Sequence, residues 1–120
     1  MRRAGHVLGC WVVSALLISG CSEAELPQRT LRADDCLRQV RLDQLSQAIS
    51  RCDKVVAQFP SDPAPRNERS LLLALAGQDE AACREITAAH ALIAKARPER
   101  VDPMLVSELK VRQHSCRRAA

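Results

Sequence analysis

The residues of this chain with most chemistry to offer are its six cysteines, Cys10, Cys21, Cys36, Cys52, Cys83 and Cys116. A thiol can be acylated, can ligate a metal as thiolate, or can pair into a disulfide, and the compartment decides which. Cys21 ends the run Leu16-Leu17-Ile18-Ser19-Gly20-Cys21, which follows an apolar stretch from Val7 to Ile18 and the basic pair Arg2 and Arg3. That stretch is too short to cross about 30 Å of hydrocarbon, which takes about 20 apolar residues as a helix. A basic start, a short apolar middle and small residues at the end form the pattern of a secretory signal. Export places the chain in an oxidising space, where disulfides are the default for the remaining cysteines.

The segment Leu17-Ile18-Ser19-Gly20-Cys21 resembles the lipobox of bacterial lipoproteins. The resemblance implies that the Cys21 thiol receives a diacylglycerol and that the chain is cut between Gly20 and Cys21. It also implies that the new amino terminus is acylated, palmitate being such an acyl group. Small side chains at Ser19 and Gly20 admit the peptidase, and only a thiol serves as acceptor. An ordinary cleaved signal and a buried apolar helix are the competing readings. Charge, run length and motif agree on the lipoprotein. Residues 1–20 are then a discarded signal, residues 21–30 an acylated cysteine with a polar leash, and residues 31–120 the domain. Ser22 stands where Gram-negative members retained at the inner membrane carry aspartate. The resemblance therefore implies a lipid anchor in the outer membrane, on its periplasmic face, and no cofactor beyond the covalent lipid.

Loss of Arg2 and Arg3 leaves 16 basic against 14 acidic side chains, a mature charge of +2 that names no electrostatic partner. Phe59 and Gly77 are the only aromatic and glycine left after residue 20. Nucleic-acid sites usually stack bases on aromatic side chains, so no nucleic-acid partner is expected. Abundant Ala, Leu, Arg and Gln predict an all-α domain. Prolines divide it into five predicted helices: 31–42, 44–59, 63–76, 79–97 and 103–118. The second is the clearest, with Leu45, Ala48, Ile49, Cys52, Val55, Val56 and Phe59 on one face. Asp62-Pro63 and Asp102-Pro103 are starts with a capping acid before proline at the first helical position. Gly77 closes the third helix, where a left-handed residue is needed.

These elements bear on how the cysteines pair. Cys36, Cys52, Cys83 and Cys116 allow three pairings. Antiparallel helices pair residues equidistant from their turn. Cys36 and Cys52 centre on residue 44, at the predicted Asp43–Gln44 turn, and Cys83 and Cys116 centre between Glu99 and Arg100. The nested alternative, Cys36–Cys116 with Cys52–Cys83, has centres at 76 and 67.5, the second inside a predicted helix. Spacing thus favours Cys36–Cys52 with Cys83–Cys116. A zinc site using His90 or His114 would want close ligand pairs such as C-x₂-C. The cysteine gaps are 16, 31 and 33, and no metal is expected.

A shift of 34 residues lays the second predicted helix on the fourth, Ala48 on Ala82, Cys52 on Ile86, Val55 on Ala89 and Phe59 on Ile93. Thirty-four is the period of tetratricopeptide repeats. The chain resembles that family at Ala48, Ala82, Pro60 and Gly77. It departs from it at Arg32, Cys36 and Gln39, where the family carries aromatics and a small residue. The resemblance implies a short stack of antiparallel helical hairpins, two of them tetratricopeptide-like, with a C-terminal capping helix. The competing reading is an unrelated helical bundle.

Nothing in the sequence assembles a catalytic site. His90 falls on the apolar side of its helix, as a satisfied, partly buried histidine would. His114 lies near a helix end that favours a cation, and Asp34-Asp35 and Asp79-Glu80 near helix starts that favour acids. Phosphate loops and nucleophile elbows are absent, so no enzyme is expected. The reading reached is a lipid-anchored adaptor or assembly factor of secretion, pilus or envelope machinery that grips a periplasmic or outer-membrane protein. In the resembled family the first helix of each hairpin lines the concave face, which implies Leu37, Val40, Arg41, Asn67, Leu71 and Ala74 as partner-binding residues. The alternatives are a small hydrophobic-ligand or lipid carrier, with Leu71–Leu75 lining a pocket, and a purely structural envelope lipoprotein.

Overall fold

The computed structural model describes residues 29–119. Cys21, the expected cleavage site at Gly20–Cys21 and the signal segment lie outside the described residues. Four helices follow one another: α1 Leu45–Gln58, α2 Pro63–Leu75, α3 Asp79–Lys95 and α4 Pro103–Ala119. Short 3-10 turns at Leu42–Gln44 and Pro98–Arg100 lead into α1 and α4. No strand occurs among the described residues.

The expected stops and starts are in place. The Asp62 carboxylate accepts from the Ala64 amide at 2.9 Å and the Asp102 carboxylate from the Met104 amide at 2.9 Å. Each cap satisfies one amide that helical bonding leaves free. At the end of α2, Gly77 takes φ +75° while Gln78 N–H donates to the Leu73 carbonyl and Gly77 N–H to that of Ala74. These two bonds make a Schellman closure, which turns the chain sharply into α3. The α2–α3 hairpin forms the most extensive packing, with α1 against α2 and α4 against α3, and α4 also touches α2.

The helix expected over 31–42 does not form. Asp35 accepts from the Arg32 amide at 2.8 Å and pairs with the Arg29 and Arg38 side chains. Asp35 N–H and Arg38 N–H reach back three residues, to Arg32 and Asp35 carbonyls, giving successive turns. Gln39 then takes φ +50°, a left-handed conformation that no α-helix carries through, and Arg41 is extended. A carboxylate bonded to nearby backbone offers the chain an alternative to the helix ladder. The backbone hydrogen bond from Arg32, with Arg29, Arg38 and Arg32 adding their charge, holds the Asp35 carboxyl below the usual carboxylate range.

Two disulfides join Cys36 to Cys52 and Cys83 to Cys116, with Cα atoms 4.5 and 5.7 Å apart. The favoured pairing is the observed one, but Cys36 sits on a turn and not on a helix facing α1, so antiparallel helix pairing places only the Cys83–Cys116 bridge. Cys36 and Cys52 are both fully buried in a cluster with Ala48, Val55 and Leu72. The Pro65 carbonyl oxygen of α2 lies 3.7 and 3.6 Å from their sulfurs. A disulfide has no proton to donate, so these are packing contacts. A second cluster, Ile86, Ala89 and Leu109, joins α3 to α4. The buried residues of α1, Ala48, Cys52 and Val55, recur 34 positions on as buried Ala82, Ile86 and Ala89 of α3.

Ion pairs tie three helices together on another side. Glu85 of α3, only 8 % exposed, accepts from Arg69 at 2.7 Å and Arg66 at 3.1 Å, both on α2. Arg69 also donates to Asp53 of α1 at 2.6 Å.

Closing the loop between Cys36 and Cys52, 16 residues apart, restricts the unfolded chain by about 3 kcal/mol. The double variant Cys36→Ala/Cys52→Ala is expected to lose at least that much stability in urea unfolding, since it also empties volume from the core. A loss under 1 kcal/mol would mean that the bridge does not order the 29–44 segment.

Candidate functional site

Between α2 and α4 runs a groove of about 350 Å³. From α2 it is lined by Ala64, Asn67, Glu68 and Leu71, spaced i, i+3, i+4, i+7, which puts them on one helical face. From α4 it is lined by Met104, Leu105, Glu108 and Arg112, with Asp102 at the end and Leu37 reaching in from the turns before α1. Met104 is 66 % exposed and Leu37 39 % exposed, so the groove opens to solvent.

Of the six residues expected to bind a partner, Leu37, Asn67 and Leu71 are brought together here. Ala74 lines a neighbouring concavity of about 340 Å³ beside Cys83 and Cys116, and Arg112 borders both. Val40 and Arg41 do not join them. Val40 packs against the cluster around Cys36 and Cys52. The Arg41 guanidinium donates to both oxygens of Asp43, at 3.1 and 2.9 Å. The reason is the lost helix: without it, residues 40 and 41 no longer follow Leu37 one helical turn later.

Sequence reasoning missed Glu68, Met104, Leu105, Glu108 and Arg112. Glu68 carried a usable signal, its i+4 spacing from Ala64 beside Asn67. The α4 residues carried none, because their place depends on how α4 crosses α2.

The groove is short of hydrogen-bond donors. Asn67, 4 % exposed, donates from Nδ2 to Glu108 Oε2 at 2.7 Å, while its Oδ1 is buried without a partner. Glu68 Oε2 is likewise buried and unpartnered. Burial, with the nearby charges of Asp34, Asp62 and Glu108, pushes the Glu68 carboxyl up to about 7. Arg112 is the only cation lining the groove among the described residues.

Other candidate chemistry disperses. All four described cysteines are consumed in disulfides, which leaves no thiolate for a metal or a nucleophile. Among the described residues no three His, Cys, Asp or Glu side chains converge at metal-binding distance. His90 is half-buried, but its Nε2 has no partner, so the satisfied histidine expected from the sequence is satisfied at most on its other nitrogen. His114 is exposed.

Glu68 sets a pH signature. Its folded pKa is raised above the ordinary 4.5 to about 7, so the folded state holds a proton that the unfolded state releases between those values. Stability contributed by this group is complete below about 4.5 and lost as pH rises through about 7. Glu68→Gln is therefore expected to flatten that part of the stability–pH curve and to exceed the wild type above pH 7 by about 1 kcal/mol. Partial exposure of the Glu68 side chain lets water screen its charge, which limits the gain. Thermal melts from pH 4 to 8.5 check it, and parallel curves for the two proteins would contradict it.

No protein-family model, no curated protein and no solved structure matches this chain.

Proposed function

We propose that the chain is a lipid-anchored periplasmic adaptor of the outer membrane, which uses the α2–α4 groove to hold a segment of a partner protein. The observation that carries this reading is the open groove, in which one face of α2 and one face of α4 align acceptors with apolar side chains. A carrier of small hydrophobic ligands calls for an enclosed cavity, whereas Met104, Asp102 and Glu108 stand exposed along this one. The arrangement is read as tetratricopeptide-like. On that reading α1 stands for the second helix of a first, incomplete unit, α2 and α3 for a second unit, and α4 for the cap. Recurrence of the buried positions of α1 in α3 after 34 residues supports it. In this scheme α2 and α4 are the helices that line the concave side. Non-enzymatic function belongs to the same proposal.

The anchor is Cys21, and the family's modified cysteine carries three acyl chains, more than the two signals that stable attachment requires. The leash of residues 22–29 spans at most about 28 Å, which keeps the groove near the membrane. Cys21→Ser is expected to release the protein from the membrane fraction or leave it uncleaved. Normal fractionation of that variant would remove the lipoprotein from consideration.

The groove is tested separately. A photo-crosslinking residue at Met104 or Leu37, exposed positions whose replacement spares the core, is expected to give the same protein adduct in intact cells. The same residue at Leu42, which is 74 % exposed but does not line the groove, should not give it. Identical adducts from all three positions, or none, would count against the groove.

A further inference from the structure

The groove makes unusual demands on whatever fills it. Asn67 Oδ1 and Glu68 Oε2 are buried acceptors without donors, and the one described hydrogen bond to the Glu108 carboxylate comes from Asn67 itself. Buried polar groups are as a rule hydrogen-bonded, and a group without a partner calls for an explanation, a functional role among them. Asn67 Nδ2 gives one of its two N–H groups to Glu108, and neither can serve its own Oδ1. The two atoms call for a donor, and Glu68, Asp102 and Glu108 around them favour a cationic one. Asp102 and Glu108 line the groove with Glu68, while Arg112 makes no ion pair with them within 4.0 Å.

Three sources of positive charge compete. A metal ion needs several ligands converging at about 2–2.6 Å, and no such group of side chains exists among the described residues. The chain's own residues 22–28 carry Glu23 and Glu25 and no Lys or Arg, the wrong sign. A basic side chain on another protein has neither defect. Its three to five N–H donors match several acceptors at once. Leu71, Met104 and Leu105 flank the acceptors with apolar surface that a lone small cation would leave exposed. The lining runs from residue 64 to 71 on α2 and 104 to 112 on α4, about 11–12 Å of helix. Two to three turns of a partner helix would cover it.

We propose that the α2–α4 groove is a receptor for a lysine or arginine side chain, presented on a short amphipathic segment of a partner protein and held by Asn67 Oδ1, Glu68 and Glu108. This rests on the adaptor reading and narrows it to a basic ligand. Bringing a cation beside Glu68 favours its ionised form, so binding also carries a pH dependence. The groups facing Glu68 are Asp34 from the turn segment, Asp62 at the start of α2 and Glu108 on α4, with Asp102 and Arg112 completing the lining. The acids oppose its ionisation; the partner's cation offsets them.

The test uses the full chain purified in a neutral detergent and three synthetic 14-residue amphipathic peptides, identical except for Lys, Gln or Glu on the polar face. Fluorescence anisotropy at pH 8 is expected to show the Lys peptide binding at least tenfold tighter than the Glu peptide, with the Gln peptide between them. Glu68→Gln and Glu108→Gln should each weaken the Lys peptide at least fivefold with melting still cooperative, while Glu99→Gln, exposed and outside the groove, should not. Lowering pH from 8 to 6 should weaken wild type but not Glu68→Gln to the same extent. Lys-peptide binding that ignores both groove variants overturns the proposal. Gln or Glu peptides bound as tightly as Lys, and lost on Met104→Asp, overturn the basic selectivity while the adaptor groove stands. If no peptide binds and no adduct forms through Met104, both readings fall.

Discussion

The bond between Cys36 and Cys52 holds a non-helical strip of chain inside a helical domain, and much else in the molecule follows from it. Residues 29–44 make turns, with few backbone bonds of their own. They are fixed because Cys36 is fully buried, bonded to α1 and packed beneath the Pro65 carbonyl of α2. That placement puts Leu37 at the mouth of the groove and Asp34 close enough to raise the Glu68 carboxyl. The core around the bridge is built from small residues, with Leu72 its largest fully buried side chain. A domain with so little apolar volume leans on covalent crosslinks worth about 2–4 kcal/mol each, large against a total of about 5–15 kcal/mol.

Helix α2 shows how neighbouring residues can meet opposite electrostatic fates. Arg66 and Arg69 turn toward Glu85 and Asp53, where each charge finds a partner on another helix. Asn67 and Glu68, between them in sequence, turn toward α4 and find almost none. A buried, paired carboxylate such as Glu85 repays its loss of water through two charge-assisted bonds. A half-buried, unpaired one such as Glu68 takes up a proton instead. The contrast separates a side of α2 that fastens the fold from a side left incomplete.

Much of this architecture was legible in the sequence wherever a local rule governed it. Asp62-Pro63, Gly77 and Asp102-Pro103 mark helix ends by capping chemistry that needs no tertiary information, and α2, α3 and α4 begin where expected. The segment 31–42 misled because its hydrophobic spacing is helical while Asp35 competes for the backbone through the Arg32 amide, and spacing says nothing of that competition. Arg41 misled in turn, since its predicted direction was inherited from a helix that does not exist. Asn67 and Leu71 were recoverable because α2 is a true helix; Met104 and Glu108 were not, because a groove needs two walls and the sequence describes only one at a time.

The missing first helix also limits what the groove can be. In a stack of hairpins, each added pair lengthens the concave wall, and long walls read extended partners through many contacts. Here the positions of α1 repeat in α3, but the strip standing where a helix would precede α1 contributes only Leu37 to the groove. The wall therefore consists of α2 and α4, two turns deep. On the proposed adaptor reading, a surface that short cannot gain affinity from area, so discrimination has to come from a few polar atoms with strict needs. Asn67 Oδ1 and Glu68 Oε2, both buried without a partner, are such atoms. Leaving an acceptor of this kind without a donor costs about 1–3 kcal/mol, so a partner that supplies the donor is separated from one that does not by roughly tenfold per bond.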